Sequence, residues 1–263
     1  MKYRLFLISA VALLALTACQ KEMEVYPRCF SVSETTQVFF SPGNLQYNGA
    51  MKKYSFATNQ YDYIGASNNQ IAATYGGTID LFGWGTGDDP MKFSETGTDY
   101  ATFVDWGSKM TESGWRTLSF EEWNYLLQKR PNANKLYGTG TIMDARWNTY
   151  YGLIILPDKW DCDTIEVSYT GEYTMHVYDA AHWALMEKAG AVFLPAAGNR
   201  VGKVVKGVKE YGRYWSSSPA PMGCAFFMGF LMGDTDDGTL RSNGRSVRLV
   251  KDITSPSQIP AAK

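Results

Sequence analysis

Three consecutive serines in the stretch YWSSS, Ser216–Ser218, are the residues best suited by type to nucleophilic chemistry. A serine nucleophile needs a base within hydrogen-bond reach, usually a histidine that a carboxylate orients. The chain contains 2 histidines, His176 and His182, and no G-x-S-x-G nucleophile elbow. A triad of Ser216 or Ser217 with His182 is the catalytic alternative. We instead predict a strand whose short hydroxyls bond to buried backbone groups.

Two residues are expected to fix this strand in the core. Trp215 directly precedes the serines and is predicted to be buried. Arg248 alternates with Val247 and Leu249, so it is predicted to point to the face opposite these two residues. There it would make a charge-assisted bond to a carboxylate or a loop carbonyl.

Metal ligands are sparse. His176 and His182 are not spaced as the i, i+4 pair of a helical metal site. The stretch GDTDDGT places Asp234, Asp236 and Asp237 before a glycine, and hard oxygen ligands of this kind suit Ca²⁺. Its spacing is one residue short of an EF-hand loop, so a solvated turn is the alternative. We expect no cofactor apart from a calcium ion at these aspartates.

The 4 cysteines include no C-x-x-C pair, which argues against a zinc knuckle or a thioredoxin-type centre. If Cys19 carries lipid, Cys29, Cys162 and Cys224 remain, so at most one disulfide can form. Three free thiols are the alternative.

Aromatic residues are abundant, with 8 Trp, 17 Tyr and 13 Phe, and several stand beside glycine or asparagine. Such rings bring rigid contact area with polar edges, which suits sugar stacking or protein contact. Packing in the core is the alternative for each ring. The candidate ligand-binding residues are Tyr61, Tyr63, Trp84, Trp147, Tyr150 and Tyr151.

The N-terminus predicts export and lipidation. Lys2 and Arg4 precede the apolar run Leu5–Leu16, which is shorter than the roughly 20 residues of a membrane span and typical of a signal peptide. The following LTAC resembles a bacterial lipobox, in which Cys19 becomes the acylated N-terminus. We predict a signal peptide over residues 1–18 and an outer-membrane protein held by a lipid anchor, either periplasmic or surface-exposed.

Charge and length limit the remaining organisation. The formal net charge is −1 at pH 7 and no basic run stands out, so we expect no nucleic-acid partner. Residues 19–28 suit a tether, and residues 253–263 have the composition of a disordered tail. The chain between the tether and the tail contains no linker-like segment, which predicts a single domain over residues 29–252.

Two helices are predicted, over SFEEWNYLLQKR and DAAHWALMEKAG. The first begins with Ser119 and Glu122 in the capping-box arrangement. The second has Asp179 as its N-cap and Gly190 after its last turn. The residues expected to face inward are Trp123, Leu126, Leu127, Trp183 and Met186.

The rest of the chain reads as short strands and turns, which predicts an α+β fold with an antiparallel sheet. Strong hairpin signals at Asp237-Gly238 and Asn243-Gly244 predict a meander over residues 224–232, 239–242 and 245–250. Other β-rich runs cover residues 36–41, 52–57, 151–157 and 191–195.

Several segments together resemble a known family. GWRTLSFEEWNYLL (114–127) is similar to its GWRLPTxxEWxxL signature, and VFLPAAGNR (192–200), GRYWSSS (212–218) and RSNGRSVRLV (241–250) are similar to its later signatures. This family is the FISUMP-type major paralogous domain of bacterial surface lipoproteins, related in fold to formylglycine-generating enzymes and C-type lectins. The chain departs from the pattern at residues 117–119, where Leu-Pro-Thr is usual. The resemblance implies a C-type-lectin-like core with a twisted antiparallel sheet, two helices and long irregular loops.

The chain lacks the metal-binding residues that the related enzymes need. Formylglycine generation needs a close cysteine pair for copper, and Cys162 and Cys224 are not spaced in that way. The related sulfoxide synthases need three histidines for iron, and the chain has 2. We therefore expect a lipid-anchored envelope protein that binds an extracellular glycan or protein without catalysis. The alternatives are a structural subunit of a surface assembly and a metal- or thiol-dependent enzyme of the formylglycine-generating type.

Overall fold

The computed structural model describes residues 23–160, 176–230 and 238–259. Over these ranges the chain is an α+β protein built mainly of antiparallel sheets. The α-helices are α1 (Phe120–Asn124), continued by a π-helical turn over Tyr125–Lys129, and α2 (Ala180–Lys188). The strands are β1 (Phe30–Ser31), β2 (Gln37–Phe40), β3 (Leu45–Asn48), β4 (Lys53–Phe56), β5 (Thr78–Ile79), β6 (Trp115–Thr117), β7 (Tyr137–Met143), β8 (Thr149–Ile155), β9 (Val177–Asp179), β10 (Val192–Pro195), β11 (Asn199–Val201), β12 (Val204–Lys206), β13 (Gly212–Ala220), β14 (Cys224–Phe230), β15 (Thr239–Leu240) and β16 (Leu249–Ile253).

The first sheet joins the beginning and the end of the domain. Its order is β1-β2-β16-β6, and each pair is antiparallel. Lys251 on β16 is the direct cross-strand partner of both Phe39 on β2 and Trp115 on β6, so the three side chains share one face. Phe40 and Val250 partner each other on the opposite face, which packs into the core.

The second sheet carries the β7–β8 hairpin. Its order is β10-β8-β7-β9, with β9 parallel to β7 and the other pairs antiparallel. The run Leu153–Ile155 of β8 is buried on both faces, as its continuous apolar sequence requires. Three smaller sheets complete the fold, with the orders β13-β14-β15, β4-β3-β5 and β11-β12.

Both helices begin as predicted. Ser119 caps α1 in a complete capping box with Glu122, and Asp179 accepts a hydrogen bond from the backbone of His182 at the start of α2. Gly190 follows α2 with a φ of 103°, a conformation that favours glycine. Of the residues predicted to face inward, Leu127 is half-buried and the other four are buried: Trp123, Leu126, Trp183 and Met186.

The predicted meander is confirmed for its first pair only. β14 and β15 are antiparallel, but residues 245–250 do not continue the same sheet. Gly244, Arg245 and Ser246 instead bridge to three separate segments, and the strand β16 starts at Leu249 and pairs with β2 and β6. Long-range backbone hydrogen bonds therefore override the local turn signal of Asn243-Gly244: the Gly244 amide donates to the Arg200 carbonyl at 2.8 Å.

Trp215 and the serines lie in strand β13, as predicted; Trp215 and Ser216 are buried, whereas Ser217 and Ser218 are half-buried. Trp215 is 1% exposed, and its indole Nε1 donates to the carbonyl of Phe82 at 2.7 Å. The Ser216 hydroxyl donates to the carbonyl of Phe226, and the Ser218 hydroxyl accepts from the amide of Phe120. The short side chains thus satisfy backbone groups of neighbouring elements.

Arg248 is fully buried, but the prediction of its partner is wrong. Its guanidinium donates to side-chain amides, to Gln60 Oε1 at 2.6 Å and to Asn44 Oδ1 at 3.4 Å. The buried carboxylate of Asp80 instead accepts from Asn68 Nδ2 and a backbone amide. Burial lowers the pKa of Arg248 to about 10.

The C-terminal segment has more regular structure than its composition predicts. We expected a disordered tail from residue 253, yet β16 extends to Ile253 and a 3₁₀ turn follows over Pro256–Gln258. The Gln258 side chain accepts hydrogen bonds from the amides of Thr254 and Ser255, which explains why this polar turn forms.

Candidate functional site

The exposed end of the β7–β8 hairpin is a tight turn that presents a tryptophan. The carbonyl of Asp144 accepts from the Trp147 amide at 2.9 Å, and Trp147 adopts a left-handed φ of 66°. Its side chain is 78% exposed. A bulky residue in this conformation at a surface turn is uncommon, so the turn holds the indole in solvent at some conformational cost.

Asp144 organises this turn. Its carboxylate accepts from the amides of Arg146 and Asn148 at 2.8 and 2.9 Å and from the Asn148 side chain at 2.9 Å. It also accepts from the Tyr150 hydroxyl at 3.2 Å. The Asn148 side-chain hydrogen bond is the main cause that lowers the pKa of Asp144 below its usual range. The carboxylate therefore stays ionised and keeps its neighbours in place.

Two tyrosines from a distant segment pack beside the hairpin. The rings of Tyr61 and Tyr150 lie 4.7 Å apart between centroids, and those of Tyr63 and Tyr150 lie 6.3 Å apart, edge to face. All three tyrosines are half-buried. Burial is the main cause that raises the pKa of Tyr150 to about 12, and Asp144 adds to the effect. We call Tyr61, Tyr63, Trp147 and Tyr150 the hairpin surface.

The tyrosine-bearing segment is held by two carboxylates. Asp62 accepts from the backbone and side chain of Asn59 at 2.9 and 3.0 Å, which closes a local turn. The buried Asp80 accepts from the Ile64 amide at 2.8 Å just beyond Tyr63. Both ends of the segment are thereby fixed, so the tyrosine rings are set against the hairpin before any ligand arrives.

Two of the six candidate aromatic residues lie elsewhere. Trp84 is a correction: it is 2% exposed, its Nε1 donates to the Ser216 carbonyl at 2.9 Å, and Arg241 lies 4.4 Å over its ring. The indole of Trp84 is therefore bonded to β13 and is part of the hydrophobic core. Tyr151 is half-buried and follows Tyr150 in β8, so it points to the opposite face of the sheet.

The candidate triad of Ser216 or Ser217 with His182 does not form among the described residues. His182 is exposed at the start of α2, where its Nδ1 lies 3.0 Å from Asp179 Oδ1. The hydroxyls of Ser216 and Ser218 bond to neighbouring backbone groups instead. Across the chain positions that the structure describes, no serine hydroxyl is bonded to an imidazole.

A cleft that the sequence did not indicate lies beside the first sheet. It encloses about 970 Å³ and is lined by the row Phe39–Lys251–Trp115, by Gln60 and by the C-terminal turn, among other residues. Lys251 Nζ bonds to Glu112 at 2.5 Å and lies 4.7 Å from the Trp115 ring centroid. Phe39, Lys251 and Trp115 come from three different strands, and the register of these strands brings them together.

Thiols and metal ligands give no centre among the residues described. Cys29 and Cys224 are free thiols, and burial raises the pKa of Cys29 to about 12, which makes it unreactive. Within the same ranges no three side chains of His, Cys, Asp or Glu are grouped to hold a metal ion.

Several predictions fall on residues outside the described ranges. These are the lipidation at Cys19, any disulfide of Cys162, and the calcium ligands Asp234, Asp236 and Asp237.

The described residues include no helix long and apolar enough to cross a membrane. The resemblance to the FISUMP-type domain rests on the sequence motifs quoted above. No family model, no curated protein and no solved structure matches this chain.

Proposed function

We propose that the chain is a lipid-anchored protein of a bacterial outer membrane whose single, C-type-lectin-like domain binds an extracellular glycan or protein without catalysing a reaction. The observation that carries this proposal is the hairpin surface, where Tyr61 and Tyr150 pack 4.7 Å apart and the exposed Trp147 lies in the turn that leads into Tyr150 and β8. The anchor and the location rest on the lipobox-like LTAC ending at Cys19.

The chemistry of the hairpin surface suits a saccharide. An exposed indole can stack on the apolar face of a sugar ring, and the tyrosines supply amphipathic edges beside it. The Asp62 and Asp144 carboxylates and the Asn148 amide lie next to these rings and can bond to hydroxyl groups. Since the turn and the tyrosines are already fixed, little conformational entropy is lost on binding.

A glycan array on the mature lipid-free chain tests the proposal, followed by affinity measurements on variants. Trp147→Ala should weaken binding by about 2 kcal/mol, roughly thirtyfold, as expected for a tryptophan at the centre of a contact. Met222→Ala is the matched control, because Met222 is 91% exposed on the turn after β13 and lies outside the hairpin surface. Its affinity should equal that of the parent.

One pair of results would show that the ligand does not bind at the hairpin surface. If Trp147→Ala binds the glycan as the parent does while Phe39→Ala loses binding, the ligand occupies the cleft and the hairpin surface is not the site. If no glycan binds, the ligand is a protein or the chain has a structural role.

The structural alternative has one observation in its favour. Met222 and Leu240 are 91% and 45% exposed; Met222 directly precedes Gly223, and Leu240 pairs with Cys224 at the start of β14. Two exposed apolar side chains near one turn suit a contact with a neighbouring subunit. Size-exclusion chromatography of the parent and of Met222→Ser distinguishes this role, because only the parent should assemble.

A further inference from the structure

A second concave site lies on the β3–β4 hairpin and shares no lining residue with the large cleft. It encloses about 330 Å³ and is lined by Tyr47, Lys52, Lys53, Tyr54 and Lys109, together with the loop of Gly87, Asp88 and Pro90. We call it the lysine pocket. We propose that the lysine pocket binds a small oxyanion, the phosphate or carboxylate group of an acidic ligand. This proposal is independent of glycan binding at the hairpin surface.

Two tyrosines form one wall of the lysine pocket. Tyr47 and Tyr54 are direct cross-strand partners in β3 and β4, and their ring centroids lie 4.9 Å apart. The Tyr54 hydroxyl donates to the carbonyls of Gly87 and Thr86 at 3.1 and 3.3 Å, which locks this ring against the opposite loop. The wall is therefore rigid. The Tyr47 hydroxyl bonds to no described residue, so it remains a donor for a ligand.

The cations of the pocket outnumber its anions. Lys109 pairs with Asp88, the one carboxylate in the lining. Lys52 and Lys53 form no ion pair with any residue in the described ranges. Since Asp88 offsets Lys109, the ammonium groups of Lys52 and Lys53 are the local positive excess around this small cavity. Ammonium groups with no partner stabilise a bound oxyanion by charge-assisted hydrogen bonds.

One lysine of the pocket, Lys52, has a backbone conformation that its residue type disfavours. Lys52 has a left-handed φ of 50°, which glycine or asparagine adopts more easily. Asn48 holds the turn: its Oδ1 accepts from the Met51 amide at 2.9 Å and its Nδ2 donates to Thr78 at 3.1 Å. The strained backbone of this long cationic residue supports a binding role, because such strain is found mainly at functional sites.

Calorimetric titration of the full-length chain in detergent tests the proposal with inorganic phosphate, glucuronate and glucose as probes. Phosphate or glucuronate should bind and uncharged glucose should not. Lys52→Gln and Lys53→Gln should each weaken binding about threefold, and the double variant about tenfold. Raising the salt from about 50 mM to about 500 mM should weaken binding further, because exposed charges are screened.

Controls separate this site from the rest of the protein. Lys206→Gln removes an exposed lysine from β12 and should bind the anion as the parent does. Trp147→Ala should also leave anion binding unchanged, whatever its effect on glycans. Binding of phosphate alone would identify a phosphate ligand, and binding of glucuronate alone an acidic sugar. The proposal is overturned if neither anion binds at millimolar concentration, or if the double variant matches the parent in affinity and melting temperature.

Discussion

Arg248 and Gln60 meet in the centre of the domain, where Nη2 of the buried guanidinium donates to the side-chain oxygen of Gln60 at 2.6 Å. The same oxygen accepts from the Phe193 amide at 2.8 Å, and the Gln60 side-chain nitrogen donates to Glu187 and to the Ala191 carbonyl. One neutral amide therefore joins the central arginine to β10 and to the end of α2. No carboxylate bonds directly to this guanidinium within the described part of the chain.

Gln60→Ala should lower the free energy of unfolding by about 3–5 kcal/mol, because it leaves a buried charge without its shortest hydrogen bond. Gln70→Ala is the matched control. Gln70 is exposed and bonds to Asn69, so its removal should change stability by less than about 0.5 kcal/mol. Urea denaturation of both variants checks this, and equal midpoints would contradict the role assigned to Gln60.

Trp215→Ala should destabilise the domain by about 3–5 kcal/mol, since it empties a core site and removes the indole hydrogen bond to the Phe82 carbonyl. Trp147→Ala makes the same chemical change at the exposed hairpin turn and should melt close to the parent. Thermal denaturation followed by circular dichroism compares the two. A Trp215 variant as stable as the parent would show that β13 is not a core strand.

Stability should depend on pH through Asp80. Burial raises the pKa of this carboxyl from 3.8 to about 6, although hydrogen bonds from Ile64 and Asn68 oppose the shift. A pKa raised on folding means that the folded protein favours the protonated form. The stabilisation is fully present below about pH 4 and is lost as the pH rises through 6, by on the order of 3 kcal/mol.

Urea denaturation of the parent and of Asp80→Asn between pH 4 and pH 7 measures this effect. The parent should lose stability relative to the variant as the pH rises. Asp144→Asn provides the opposite sign, because the pKa of Asp144 is lowered in the folded state and its contribution is lost as the pH falls. Parallel pH profiles for the parent and Asp80→Asn would refute the assignment.

Gly190→Ala should lower the free energy of unfolding by about 1–2 kcal/mol, because a backbone penalty and a steric clash act together. Its φ of 103° is unfavourable for alanine, and the added Cβ would lie 2.7 Å from Cβ of Arg28. Gly76→Ala is the control, because its nearest neighbour, Cβ of Ala50, would lie at an ordinary 3.5 Å. Differential scanning calorimetry should rank the Gly76 variant close to the parent.

The features predicted correctly from sequence depend on neighbouring residues. Ser119 and Glu122 lie three positions apart, so their capping box is legible without knowledge of the fold. The burial of Trp123 and Met186 likewise follows from helical spacing. Tyr61 and Tyr150 were chosen as candidates by residue type alone, and their ring packing, which depends on where a distant turn places Tyr61, was not predicted.

The features that sequence reasoning missed depend on pairing across long separations. The prediction of the third strand of the meander was wrong because Gly244 bonds to the distant Arg200 rather than within its own hairpin. The glycines on either side of Trp84 suggested an exposed ring, yet the ring is buried and its indole donates to the distant Ser216 carbonyl. The cleft required the register of β2 against β16, which no local pattern specifies.

We propose that ligand contact occurs at the β7–β8 turn of a scaffold that catalyses no reaction. The most direct measurement is an NMR titration of the tryptophan indole resonances with a glycan selected on the array. Binding at the hairpin surface predicts a saturable shift of the Trp147 indole, with the buried Trp84 and Trp215 unchanged. A shift of Trp115 in the cleft with no change at Trp147 would contradict the account.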